Sequence, residues 1–153
     1  MRFNYEYSHF GGKAQWSRGD QDSWLRSIFN APDLPIERGA SRKIRRHIRD
    51  QTTAAGWSSE ARIAPRYQLE VFALKGDLAL QLQTGNMSRA AYDLLKLQYL
   101  YRARRISGAA LALPTKQASA KLGSNVANAD RIRSELHLFE DVITAPILII
   151  AFD

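Results

Sequence analysis

The chain has no cysteine, which excludes disulfides, thiolate metal sites and a cysteine nucleophile together. It also lacks any run near the roughly 18 apolar residues of a membrane span; its longest apolar stretch, PILIIAF at 146–152, is strand-sized. The opening residues, MRFNYEY, have no apolar centre of the kind a secretory signal needs. The expectation is therefore a cytoplasmic protein with no membrane partner. Histidine is scarce: His9, His47 and His137 fall on separate segments without metal-ligand spacing and read as surface or packing residues. Gly11-Gly12 is not followed by the Lys-Ser/Thr of a phosphate loop, and no local signature of serine–histidine–acid catalysis is present.

What the chain does have is positive charge. Its 153 residues are enough for one domain with a core, and they carry 22 Lys and Arg against 15 Asp and Glu, a net +7. Sixteen of the cations are arginine, the residue suited to bidentate contact with phosphates and base edges. The excess is local. Arg38, Arg42, Lys43, Arg45, Arg46 and Arg49 lie in twelve residues without an acid, and Arg102, Arg104 and Arg105 form a second cluster. Outside these windows 13 cations face 15 acids, so the remainder of the chain is slightly acidic. A solvated helix face would account for the first cluster, but like charges four apart, such as Arg42 and Arg46, cost helix stability. A partner supplying counter-charge would offset that cost, which points to nucleic acid. The second cluster has an alternative explanation, since cations at a helix C-terminus complement its dipole.

The hydrophobic pattern predicts a strand over residues 1–9 and helices over 17–30 and 36–55, the second with Ile36, Ala40, Ile44 and Ile48 every four residues. Residues 62–73 and 77–84 read as a hairpin turning at Gly76-Asp77. A helix over 88–102 follows, capped by Ser88 and burying Ala91, Leu94, Leu95, Gln98 and Tyr99 or close neighbours. A strand over 106–113, a polar connection, a helix over 128–139 and a strand over 146–152 complete the chain. Mixed hairpin and crossover connections give an α/β sandwich with a mixed central sheet flanked by helices. No repeat or linker divides it, so residues 1–153 are expected to form a single domain.

The segment VFALKGDLALQLQTGN at 71–86, followed by YDLLKLQ at 92–98, resembles the central hairpin and helix of the BglII-type restriction endonucleases. MRF at 1–3, HFGG at 9–12, LPTK at 113–116, GSNV at 123–126, residues 131–136 and PILI at 146–149 are similar to the flanks of that family. The resemblance implies a PD-(D/E)xK-like, restriction-endonuclease-like fold, a homodimer around double-stranded DNA, and Mg²⁺-dependent phosphodiester hydrolysis. It places the family's hairpin Asp at Phe72, its Glu at Gln81 and its following Gln at Gln83, so only the last position matches. Hard divalent cations need anionic oxygens; phenylalanine offers none and glutamine a neutral carbonyl. Glu70, Asp77 and Lys75 are the nearby groups that could substitute. The expectation is a DNA-binding pseudo-nuclease with no intact catalytic site and no metal, acting as a regulator or structural protein on DNA in the bacterial nucleoid. The rivals are an Mg²⁺-dependent endodeoxyribonuclease with rearranged ligands, and a protein-interaction module or inhibitor of a related nuclease.

Overall fold

The computed structural model describes the backbone of all 153 residues and every side chain except that of Pro65. The elements in chain order are β1 (Phe3–His9), α1 (Gly12–Trp16), a 3-10 turn at Arg18–Asp20, α2 (Gln21–Ser27), α3 (Ser41–Ala54) and β2 (Ser58–Ala64). A 3-10 turn at Pro65–Tyr67 precedes β3 (Leu69–Lys75), β4 (Leu78–Leu82), α4 (Met87–Arg102), β5 (Gly108–Pro114), α5 (Lys116–Leu122), α6 (Ala129–Leu138) and β6 (Ile147–Phe152).

The strands form one six-stranded mixed sheet in the order β1-β6-β5-β4-β3-β2. β4, β5 and β6 run parallel, and the remaining neighbours are antiparallel. Parallel neighbours need crossover connections, supplied by α4 between β4 and β5 and by α5 and α6 between β5 and β6. The three central strands are buried along their whole length, as strands covered on both faces must be. One core, with Leu80, Leu82, Leu148, Ile150 and Phe152, lies under α1, α2 and α3; the other, with Leu111, Leu113, Ile147 and Ile149, lies under α4 and α6.

Local chemistry explains where the pattern-based boundaries move. The helix expected over 17–30 is broken because Gly19 and Asp20 take left-handed backbone at φ 67° and 57°, a conformation a helix cannot continue through. Gly39, at φ 86°, delays the next helix to Ser41, so Arg38 stands before α3 rather than on it. Ala40, Ile44 and Ile48 are buried as the four-residue spacing predicts. The strand expected over 62–73 is two strands, β2 and β3, turned back on each other at Pro65–Tyr67, and β2 begins earlier, at Ser58. The hairpin at Gly76-Asp77 forms as expected, joining β3 to β4.

α4 is capped by Asn86, whose Oδ1 accepts the Ser88 N–H, rather than by Ser88. Its buried stripe is Ala90, Asp93, Leu94, Leu97 and Leu100, and Leu95 and Tyr99, expected inside, are about half exposed at 51% and 50%. α5 lies in the connection read as polar. Thr115 caps it by accepting the Ala118 N–H.

Two contacts fix the helices on the first face. Gly12 lets α1 sit directly on β6, since a Cβ there would stand 2.2 Å from the Ile147 carbonyl carbon. The three tryptophans stack in one column, Trp57 between Trp16 at 5.5 Å and Trp24 at 5.3 Å, ring centroid to centroid.

Candidate functional site

An open cleft of about 650 Å³ lies where β4 ends and α4 begins. Four elements converge on it through their own periodicities. On α3, Ser41, Arg45 and Arg49 recur every four residues and so share one stripe. Ser41 Oγ donates to the Thr84 carbonyl and Arg45 Nη1 to the Leu82 carbonyl at 3.1 Å, tying the helix to the end of β4. Gln81 on β4 and Gln83 just past its end alternate with Leu80 and Leu82 and so face away from α3, toward α4. On α4, Arg89, Tyr92, Asp93 and Lys96 follow the i, i+3, i+4, i+7 spacing of one helix face, and all four line the cleft. The start of β3 contributes Glu70 and Phe72.

Asp93 organises the interior of the cleft. Its side chain is 5% exposed, and a carboxylate so placed must be paired. Its Oδ1 accepts from Gln81 Nε2 at 2.8 Å and lies 2.7 Å from Lys96 Nζ; its Oδ2 accepts from Gln83 Nε2 at 2.5 Å. Backbone donors fix the orientation of both carboxamides. Gln81 Oε1 accepts the Phe72 N–H at 2.9 Å, and Gln83 Oε1 accepts the Gly85 N–H at 2.7 Å. Rotating either amide would set an NH₂ group against a backbone N–H and an oxygen against Asp93. The sheet ladder between β3 and β4 stops at Ala73 and Leu80, so Gln81 bridges strands that have begun to part.

Phe72 belongs to the core beneath α3, 5% exposed, with the Arg45 guanidinium 5.2 Å from its ring centroid. Burial lowers the Arg45 pKa from the usual guanidinium value and neighbouring Arg49 lowers it further, while Asp93 and Glu60 oppose the shift. Arg49 pairs with Glu60, which lines the cleft. Arg38, Arg42, Lys43 and Arg46 are exposed.

The candidate substitutes are dispersed. Glu70 lines the cleft, with its carboxylate 3.8 Å from Arg62 at the surface. Asp77 sits in the hairpin turn at the far end of β4, accepting from Ser107 Oγ, four residues or about 13 Å from Gln81 along the strand. Lys75, at the same end, donates to the Ala55 carbonyl. Arg102, Arg104 and Arg105 also lie at that end, about 20 Å from Arg89 along α4, and Arg105 donates to the Ile63 carbonyl. The two basic clusters thus occupy separate parts of the molecule.

The donor set does not fit a divalent cation such as Mg²⁺. Both Asp93 oxygens and both carboxamide oxygens already accept hydrogen bonds, and Lys96 Nζ stands against the single buried carboxylate. Among the described residues no group of three or more His, Asp or Glu gathers where it could hold a metal. Sequence reasoning missed Ser41, Arg89 and Tyr92 in the lining, and above all Asp93 and Lys96. The one available signal was a Tyr-Asp pair and a Lys one turn on, following two glutamines that share a strand face.

A mixed six-stranded sheet with two crossovers on one face, and a cleft where its hairpin opens, defines a restriction-endonuclease-like α/β protein. The family model for restriction endonuclease BglII/BglIII matches residues 5–152, and the chain belongs to that family. It is similar to the crystal structure of restriction endonuclease BglII complexed with a DNA 16-mer, with a TM-score of 0.82 at 10% identity over 100% of this chain and 78% of that one. It is similar also to free BglII, with a TM-score of 0.74 at 11% identity over 100% and 80%. At such identities the likeness is one of fold. Among proteins of curated function no sequence matches significantly.

Proposed function

We propose that the chain binds double-stranded DNA without cutting it, as a regulator or structural protein. The observation that carries the reading is the saturation of Asp93: the one carboxylate buried in the cleft is held by two carboxamides and an ammonium. Water activation beside a phosphate calls for a metal on anionic oxygens or a free base; Asp93 is committed to its three partners, and the other carboxylates of the lining, Glu60 and Glu70, lie at the surface beside Arg49 and Arg62. Arg45 and Arg89 line the cleft, and Arg42, Lys43 and Arg46 on the same helix as Arg45, with Arg38 before it, are exposed cations. A surface of this kind contacts phosphates and loses affinity steeply with salt. The DNA held by BglII in its similar structure is consistent with that use.

The reading also takes in a homodimer. Leu95 and Tyr99 on α4, with Leu138, Phe139 and Val142 at and after the end of α6, leave large apolar side chains exposed on one face of the sheet. Gln98, between the first two, is bonded to Thr144 and Ala145 and so links α4 to the segment before β6. Together these exposed side chains are what supports a protein contact on this face. Among the described residues no helix is long and apolar enough to cross a membrane.

Fluorescence anisotropy with short duplexes, together with incubation of supercoiled plasmid in Mg²⁺ or Mn²⁺, tests the proposal. The expected result is salt-dependent binding and an intact plasmid. Cleavage that follows the purified protein and is lost in Asp93→Ala would instead establish a nuclease with rearranged ligands. Tight binding to a related nuclease without DNA affinity would establish the inhibitor reading.

A further inference from the structure

We infer that the Lys96 ammonium is a built-in cation of the cleft, standing where a hard metal ion would otherwise bind and offering its charge to a phosphodiester. The inference deepens the DNA-binding reading and rests on it for the identity of the anion. Its basis is the pair of atoms the ammonium bridges. Lys96 Nζ lies 2.7 Å from Asp93 Oδ1 and donates to the Glu70 carbonyl oxygen at 3.0 Å. A carboxylate oxygen and a backbone carbonyl are the ligand types that hard divalent cations take from proteins. The side chain is only 12% exposed, yet it lines the cleft, and its third N–H is not committed to either oxygen. The face of Tyr92, 5.8 Å away, adds a favourable wall for a cation.

The charge balance supports the assignment. With Phe72 and Gln81 at the two positions where the resemblance places acids, Asp93 is the one buried carboxylate of the cleft, and one ammonium balances it. The carboxamide and the ammonium belong together. A carboxylate at position 81 would repel Asp93 unless a second positive charge arrived, whereas the carboxamide donates to it. Arg45, fixed on the opposite wall by the Leu82 carbonyl and the Phe72 ring, is the second cation a phosphate entering the cleft would meet. Neither cation dissociates, so chelation cannot remove this charge.

The experiment compares wild type with Lys96→Met in duplex anisotropy titrations, with EDTA or with millimolar Mg²⁺ in a buffer whose ionic strength is set by monovalent salt. The expected wild-type affinity is the same within about twofold in both buffers, while Lys96→Met binds about tenfold more weakly in EDTA and regains affinity with Mg²⁺. A second readout needs no DNA. Terbium(III), a hard-oxygen cation, should give Tyr92-sensitised luminescence in Lys96→Met and none in wild type. Wild-type binding that tightens tenfold with Mg²⁺, or Lys96→Met binding DNA in EDTA as wild type does, overturns the inference; the first comparison needs no variant to fold. Absence of any wild-type duplex binding at low salt overturns the DNA reading instead, and the terbium comparison then decides the cation assignment alone.

Discussion

Gln81 and Asp93 lie twelve positions apart on β4 and α4, joined by a bond of 2.8 Å from Nε2 to Oδ1, while the oxygen of the same carboxamide holds the Phe72 N–H. One glutamine thereby connects β3, β4 and α4 at the cleft, and its donor end is the part no carboxylate can imitate.

Gln81→Glu should therefore destabilise the protein. The new carboxyl would sit against Asp93 out of water, and both effects raise its pKa above the unfolded value. The charged form is disfavoured only in the fold, so the penalty is small in acid and grows as pH rises from about 4 toward neutrality. Urea melts near neutral pH should show a loss of about 2–4 kcal/mol relative to wild type, shrinking toward acid pH. A pH-independent loss would mean that geometry, not charge, fixes the glutamine.

Arg42 and Arg46 are exposed neighbours four apart on α3. Changing both to glutamine should lower the slope of log affinity against log salt by about 2 for duplex DNA, at about 0.9 for each phosphate that is no longer neutralised. Thermal stability should hold or rise slightly, because a repulsive pair worth about 0.2–0.5 kcal/mol is removed. An unchanged slope would place the DNA elsewhere.

Gly12→Ala should be among the most damaging single substitutions. The clash is with backbone, 2.2 Å from the Ile147 carbonyl carbon and 2.6 Å from the Leu148 nitrogen, so no rotamer relieves it, and α1 must lift from β6 at a cost of about 3 kcal/mol or more. Gly19→Ala is the control. That position has φ 67° and open space around it, so only backbone strain of about 1–2 kcal/mol is expected. Denaturant melts of the two variants should rank them in that order.

Tyr5 supplies a test at alkaline pH. Burial first, and then its hydrogen bond to Asp130, push the phenol up to about 12. The folded state keeps the proton where the unfolded chain, titrating near 10, has lost it. Stability from this group is thus complete below about pH 10 and falls as pH rises toward 12. Tyr5→Phe should remove that part of the pH dependence, measured by chemical denaturation across the range.

Patterns carried by one element were legible in the sequence. The four-residue spacing of Ala40, Ile44 and Ile48, the apolar run of β6 and the Gly76-Asp77 turn each reflect a local period or a local backbone demand, and each appears in the fold. The family resemblance directed attention to the hairpin, and Phe72, Gln81 and Gln83 line the cleft beside it. Asp93 and Lys96 were not legible as site residues, because their partners lie on other strands and nothing in a helical stripe distinguishes a buried acid from an exposed one. Leu95 and Tyr99 misled for the same reason: apolar residues on two sides of α4 compete for the core, and only the position of the sheet decides in favour of Leu94, Leu97 and Leu100. α5 escaped because its small residues carry little apolar signal, and β2 because an edge strand is largely polar.

The tryptophan column gives the molecule an optical consequence. All three indoles of the chain stand in a single stack, and none lines the cleft. Their near-parallel planes, 9° and 13° apart, should couple their transitions and give an exciton signature in circular dichroism that vanishes when α1, α2 and the segment after α3 separate. The indole stack thus reports on the packing of the first face at a distance from the cleft, so a titration in which its signature is unchanged has not loosened that part of the fold.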